Sequence, residues 1–370
     1  MKFVLAPDSF KENMSAVKAA RAMELGVRDV FPDARCVLVP MSDGGEGFIE
    51  AVGTAWDAQR VEVRTVDALG RPISSTYALA GGRAVLDVAS CSGLELIAPE
   101  DRDVARSNTA GLGLLIRDAL ARGAKELLIG IGGSATNDAG AGMLHALGAR
   151  FFDAEGGELA PYLDDLSRVE RVETTALEEA LAGVRIRVAC DVTNPLNGPM
   201  GATAVFGPQK GVAEEQVAAF DETHRRFAEV SGKADVARMP GSGAAGGLGF
   251  ALRAFCNAEL LPGVDLVARA VGLAESVEGA DWVFTGEGSV DSQTLNGKTP
   301  AGVVAVASAE GVPVMIFAGR IKDGAELLLE HGVTRIVKVG DPDEPLAEAL
   351  KHGPQNMRRA VAQALESLRS

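Results

Sequence analysis

Cysteine, histidine, aromatic residues and positive charge are all scarce in this chain, and each scarcity removes a class of function. Four cysteines, Cys36, Cys91, Cys190 and Cys256, stand at least 55 residues apart, so neither a redox pair nor a zinc knuckle can be built from neighbours. Each reads as a small buried hydrophobe in a reducing compartment. The four histidines, His145, His224, His331 and His352, fall in or beside helical patterns, and none pairs with another at metal-ligand spacing. No Gly-x-Ser-x-Gly elbow lies between a strand and a helix, which argues against serine-hydrolase chemistry. Lysine and arginine total 36 against 51 acidic residues, a net charge of −15. Such a surface repels phosphate backbones and anionic lipid, so neither nucleic acid nor a membrane is an expected partner. Long hydrophobic runs are missing as well. No stretch reaches the roughly 18 apolar residues of a membrane span, and MKFVLAPDSF offers too short an apolar run for a signal peptide. A soluble, cytoplasmic protein is expected.

Glycine is what the chain has in excess, 44 copies in 370 residues, about 12% where roughly 7% is usual. The length suits two domains, and 47% hydrophobic content supplies cores for both. Short β-branched runs alternate with helical patterns, the signature of parallel α/β sheets. Five runs lie near the chain ends: Lys2 to Ala6, Cys36 to Pro40, Asp281 to Thr285, Pro313 to Ala318 and Arg335 to Val339. Helical patterns at about Ser15 to Phe31, Gly302 to Glu310, Asp323 to His331 and Pro345 to Leu368 accompany them. The middle differs. Three alternating runs between Val61 and Val88, joined by glycine-rich turns, predict antiparallel hairpins. Strands at Glu126 to Gly130 and Arg185 to Cys190 follow, with helices at about Ser107 to Arg122, Asp138 to Gly148 and Val212 to Val230. The expected architecture is a doubly wound parallel sheet built from both chain ends, residues 1–66 plus 272–370, with an inserted α/β domain of mixed sheet at 67–271. Two sequential domains split near 190 would leave the first without enough parallel strands.

Ligands of open α/β sheets bind beyond the carboxyl ends of strands, so the residues there carry the chemistry. They are Pro7-Asp8-Ser9-Phe10-Lys11, Ser42-Asp43-Gly44-Gly45-Glu46-Gly47, Gly286-Glu287-Gly288-Ser289-Val290-Asp291, Gly319-Arg320, Gly132-Gly133-Ser134-Ala135-Thr136 and Asp191-Val192-Thr193-Asn194-Pro195. Glycines before a helix let N–H groups approach an anion, although a plain strand-to-helix turn capped by Thr136, Asn137 or Asp138 explains them as well. Carboxylates crowded at one sheet end call for a cation, and magnesium with phosphate oxygens meets that need. For any one of them a cap or turn is at least as good an explanation; their shared position raises the odds. Basic residues near these loops are Lys11, Arg71, Lys210, Lys298 and Arg320. Gly241-Ser242-Gly243-Ala244-Ala245-Gly246 matches the dinucleotide fingerprint, but no apolar strand precedes it; Gly297-Lys298-Thr299 resembles the end of a P-loop whose first glycine is replaced by Ser292.

Taken in order, these motifs, with Gly132 to Met143, Cys190 to Leu196, Phe206-Gly207-Pro208-Gln209-Lys210-Gly211, Pro240 to Gly247 and Thr285 to Lys298, resemble the bacterial glycerate kinase family from the first strand to about Gly319. The resemblance implies ATP-dependent phosphorylation of D-glycerate in two unlike α/β domains, one flavodoxin-like with a discontinuous chain. It favours 2-phosphoglycerate as product and leaves 3-phosphoglycerate open. An NAD-dependent hydroxy-acid dehydrogenase using the Gly241 loop is the alternative, and a non-catalytic binder of small anions is a third reading. Under the kinase reading Asp191 is the expected base, with Lys11 beside it in catalysis. Asp8, Ser9, Arg71 and Asn194 are expected to hold substrate, and Gly132, Gly133, Ser134, Thr136, Gly243, Gly286 and Lys298 the nucleotide. Asp43, Glu287 and Asp291 are the expected magnesium ligands. The residues carry no signature of oligomeric state.

Overall fold

The computed structural model describes residues 1–295, 297–340 and 350–368. Its strands lie, in chain order, at Lys2–Leu5 (β1), Arg35–Leu38 (β2), Gln59–Val66 (β3), Pro72–Ala80 (β4), Arg83–Asp87 (β5), Glu126–Gly130 (β6), Arg150–Phe152 (β7), Glu158–Leu159 (β8), Arg171–Glu173 (β9), Arg185–Ala189 (β10), Glu259–Leu261 (β11), Trp282–Val290 (β12), Val314–Ile321 (β13) and Val333–Lys338 (β14). The chain divides into two compact units, Met1–Asp57 with Val264–Ser370, and Ala58–Gly263.

The first unit carries a five-stranded sheet in the order β14-β13-β12-β1-β2, every neighbouring pair parallel. Counted within the unit this is 2-1-3-4-5, the flavodoxin-like order, and its topological switch point lies between β1 and β12. Phe3, Phe284 and Phe317 meet on one face, with ring centroids 5.5 and 5.2 Å apart along the row. The helix Ala16–Val30 covers that face because Ala16, Ala19, Ala20, Met23, Val27 and Val30 fall on one stripe, and the Ser15 side chain accepts from Lys18 N to cap it. The helix Gly353–Glu366 packs beside it. Contact there is close: a Cβ on Gly26 would stand 2.5 Å from Arg358 O. Within the helical pattern expected over Pro345 to Leu368, positions 345–349 lie outside the described residues.

In the second unit the six-stranded sheet runs β11-β10-β6-β5-β4-β3, with β11, β10, β6 and β5 parallel and β4 and β3 antiparallel. A separate three-stranded antiparallel sheet, β8-β7-β9, has no counterpart in the sequence reading. Its strands of two and three residues are too short for a period of two to register.

The unit limits fall at 57/58 and 263/264, where the sequence placed them at 66/67 and 271/272. β3 pairs along its full length with β4, which draws 59–66 into the inserted unit. The helix Gly263–Ala270 goes, from Val264 onward, with the flavodoxin-like unit.

Candidate active site

At the switch point of the first unit β1 ends at Leu5 while β12 continues to Val290, five residues past the expected end at Thr285, paired with β13 as far as Ile321. The segment after β1 folds along the free edge of β12: Ala6 N donates to Phe284 O and Asp8 N to Gly286 O, at 2.7 and 2.8 Å. Asp8 is thereby drawn to 9% exposure. Its Oδ1 accepts Ser9 N–H at 2.6 Å and its Oδ2 accepts the hydroxyl of Thr299, at the start of the helix Thr299–Ala309. Burial pushes the Asp8 carboxyl up to about 7; the Thr299 bond opposes this, and the negative charges of Asp43 and Glu287 add to it. Glu287 is also pushed up by burial, against the pull of Lys298. Its Oε1 accepts from Thr294 at 3.0 Å and lies 3.7 Å from Lys298 Nζ. Asp291 lies 3.8 Å from Lys298 and 3.9 Å from Lys322.

Asp8, Ser9, Asp43, Glu287, Asp291 and Lys298 are thus gathered at one sheet end, while Asp191 lies in the other unit. Exposed Lys11 follows in the same segment; a Cβ on Gly288 of β12 would come 3.7 Å from Lys11 N. Gly286 stands differently. It is a buried residue within β12 whose added Cβ would meet Phe317 O at 2.2 Å, so its lack of a side chain serves strand packing and not a phosphate. For a hard cation the donor set is suitable, all oxygen and mostly carboxylate. Among the described residues no three His, Cys, Asp or Glu side chains converge as a ready-made cage.

The sheet end of the second unit has another character. Gly132 and Gly133 are exposed after β6, but Ser134 and Thr136, expected to face a nucleotide, point inward at 5% and 0% exposure. Lys210 Nζ donates to Ser134 Oγ at 3.0 Å and to Thr136 O at 2.7 Å. The helix after the loop begins at Ala141, not Asp138. Asp138 instead is fully buried and accepts from Thr109 N, Thr109 Oγ1 and Gly142 N at 2.8 to 2.9 Å and from Gly140 N at 3.1 Å, tying two helix starts together. Behind the loop, Gly246 at φ +66° would place a Cβ 1.9 Å from Thr136 O. Only glycine allows that approach.

Gly243 gives its N–H to Asn194 O at 2.8 Å and so has none for a phosphate. The Asn194 amide in turn holds Met200 O at 2.8 Å. The Gly241 to Gly246 fingerprint therefore packs loops together, and it follows the four-residue helix Ala234–Ala237 where a dinucleotide site needs a strand. Asp191 is exposed beyond β10, with Oδ1 accepting Gly263 N–H at 2.9 Å. Arg71 binds buried Asp67 at 2.5 Å and Asp101 at 3.3 Å, so its guanidinium is already committed to carboxylates. Thr299 and Asp67 are partners that sequence reasoning left without a role, and Lys210 reads there only as one of the basic residues near these loops. The links from Thr299 to Asp8, Lys210 to Ser134 and Asp67 to Arg71 span 291, 76 and 4 residues, and only the last leaves a local trace.

A family model described as the glycerate kinase family matches residues 3–369. The chain belongs to the glycerate kinase family. It is 41% identical to the glycerate kinase of Bacillus subtilis (strain 168), covering 100% of this chain and 98% of the relative. It is 42% identical to the glycerate 2-kinase of Escherichia coli (strain K12), over 97% and 96% of the two chains. The crystal structure of a proposed glycerate kinase 2 from Salmonella typhimurium LT2 superposes with a TM-score of 0.91 at 41% identity, covering 100% of this chain and 98% of that one. As a member of the glycerate kinase family the chain is a phosphotransferase, and nothing in these relatives supports the dehydrogenase reading. No described helix is long and apolar enough to cross a membrane.

Proposed function

We infer that this chain transfers the γ-phosphoryl group of ATP to the 2-hydroxyl of D-glycerate, giving 2-phosphoglycerate and ADP. The observation that carries the reading is the family match over nearly the whole chain, and the name of the Escherichia coli relative favours the 2-position. Phosphoryl transfer is mostly positioning and charge neutralisation, and it asks for N–H donors, cations and a carboxylate near the attacking hydroxyl. The exposed backbone of Gly132 and Gly133 supplies donors. Lys298 and Lys11 supply cations; Arg71, already paired, orients a carboxylate through what remains of its fork. Asp191 takes the hydroxyl proton, and Asp8, Ser9 and Asn194 shape the surroundings of the substrate. Magnesium, when bound, would be held by Asp43, Glu287 or Asp291 and would neutralise phosphate charge.

Incubation with D-glycerate, ATP and magnesium, followed by phosphorus and carbon NMR, tests the reading. ADP with 2-phosphoglycerate is expected. Formation of 3-phosphoglycerate overturns the regiochemistry, and absence of ADP overturns the kinase.

A further inference from the structure

Lys210 is 3% exposed, and the one charged group that acts on its ammonium is the buried Asp138. Both its recorded acceptors, Ser134 Oγ and Thr136 O, belong to the glycine-rich loop after β6. An ammonium has three donors, and buried charge is costly unless a counter-charge answers it. Two further polar atoms of the same segment, Thr136 Oγ1 and Asn137 Oδ1, are buried with no hydrogen-bond partner. Orphaned polar atoms persist where backbone is held in place for something other than its own stability.

We propose that Lys210 is a positioning residue for the Gly132–Thr136 loop, fixing it in the shape that receives an oxyanion of the substrates and carrying the buried charge which that oxyanion answers. The proposal rests on the kinase reading only for the identity of the oxyanion, an ATP phosphate or the carboxylate of D-glycerate. The titratable groups that act on Lys210 are Asp138, which favours its charged form, and His224 on the helix Glu214–Val230. His224 is fully buried, its pKa lowered to about 4 by burial, and its Nε2–H donates to Asn137 O, so it is neutral near pH 7. Burial holds Lys210 down to about 7, and an arriving anion restores its proton.

Calorimetric titration with magnesium ATP and, separately, with D-glycerate, in two buffers of different ionisation enthalpy between pH 7 and 8.5, reads that proton. The wild type is expected to take up a proton on binding one of the two. In Lys210→Met, folded by circular dichroism, uptake disappears and the affinity for that ligand alone falls at least tenfold. Loss confined to ATP assigns the loop to phosphate, and loss confined to glycerate assigns it to carboxylate. Equal loss of both ligands marks general loosening and overturns the proposal. So do affinities within twofold of wild type, or uptake that survives the substitution. Should Lys210→Met not fold, Lys210→Gln takes its place, and absence of uptake by the wild type with either ligand is enough to reject the idea. Because binding is read without turnover, failure of the kinase reading shows separately, as absence of ADP.

Discussion

At the carboxyl end of the flavodoxin-like sheet a carboxyl group, Asp8, is buried among other carboxylates; at that of the inserted unit an ammonium, Lys210, is buried among neutral acceptors. Burial moves both toward about 7, one from below and one from above. The contrast lies in the company each keeps. Asp8 has Glu287 and Asp43 near it, and Lys298 and Lys322 lie within 4 Å of the neighbouring acids, so charge of both signs is already traded there. Lys210 bonds a hydroxyl and a carbonyl, and the buried Asp138 acts on it with opposite charge. The first arrangement gathers oxygen donors of negative charge, and the second holds a buried cation against a glycine-rich loop.

The largest consequence is a pair of opposite pH limbs in stability. A carboxyl raised from 3.8 to about 7 binds a proton in the folded chain that the unfolded chain has lost. Its contribution is therefore lost as pH rises from about 4 to 7, by at most about 4 kcal/mol. Lys210, lowered from 10.5 to about 7, does the reverse: the unfolded chain binds the extra proton, and stability rises between pH 7 and 10 by a similar amount. Guanidinium denaturation across pH 4 to 10 should show Asp8→Asn without the falling limb and Lys210→Met without the rising one. A pH dependence unchanged by either substitution would break the comparison.

Next in size is Asp191→Asn, expected to leave the fold intact and lower kcat by at least about 100-fold. Asp191 tests how far the sequence reached. Its place beyond β10 could be read from a buried run ending at Cys190, and so could most of the parallel strands, because apolar runs of four to six residues mark strands wherever they fall. What could not be read depends on distant partners. Gly286-Glu287-Gly288 looks like a loop, yet Glu287 and Ser289 are paired with Ala318 and Arg320, and tertiary pairing overrides their poor strand propensity. Ser134 and Thr136 look like phosphate ligands until Lys210 turns one inward and Gly246 closes on the other. If the Asn variant keeps near-normal turnover, the base lies elsewhere, and Asp8→Asn measured beside it shows whether the acidic sheet end supplies it.

The smallest expected effect falls on Lys298, which separates two uses of a cation at the acidic end. Its ammonium stands 3.7 Å from Glu287 and 3.8 Å from Asp291, and the side chain is 36% exposed, so the pairs add at most about 1 kcal/mol to stability. Lys298→Met should therefore melt within a few degrees of wild type. If the lysine meets a phosphate, its loss raises KM for ATP about fivefold, the equivalent of about 1 kcal/mol. Removing it also takes away a competitor for Glu287, whose carboxyl then moves further up and whose oxygens face less positive charge. The half-saturating concentration of free magnesium should fall, even as KM for ATP rises. If the lysine only balances charge, its removal lowers the magnesium requirement and leaves KM for ATP unmoved, so titrating both ligands in the same variant decides whether this end of the sheet is organised around the metal alone or around metal and phosphate together.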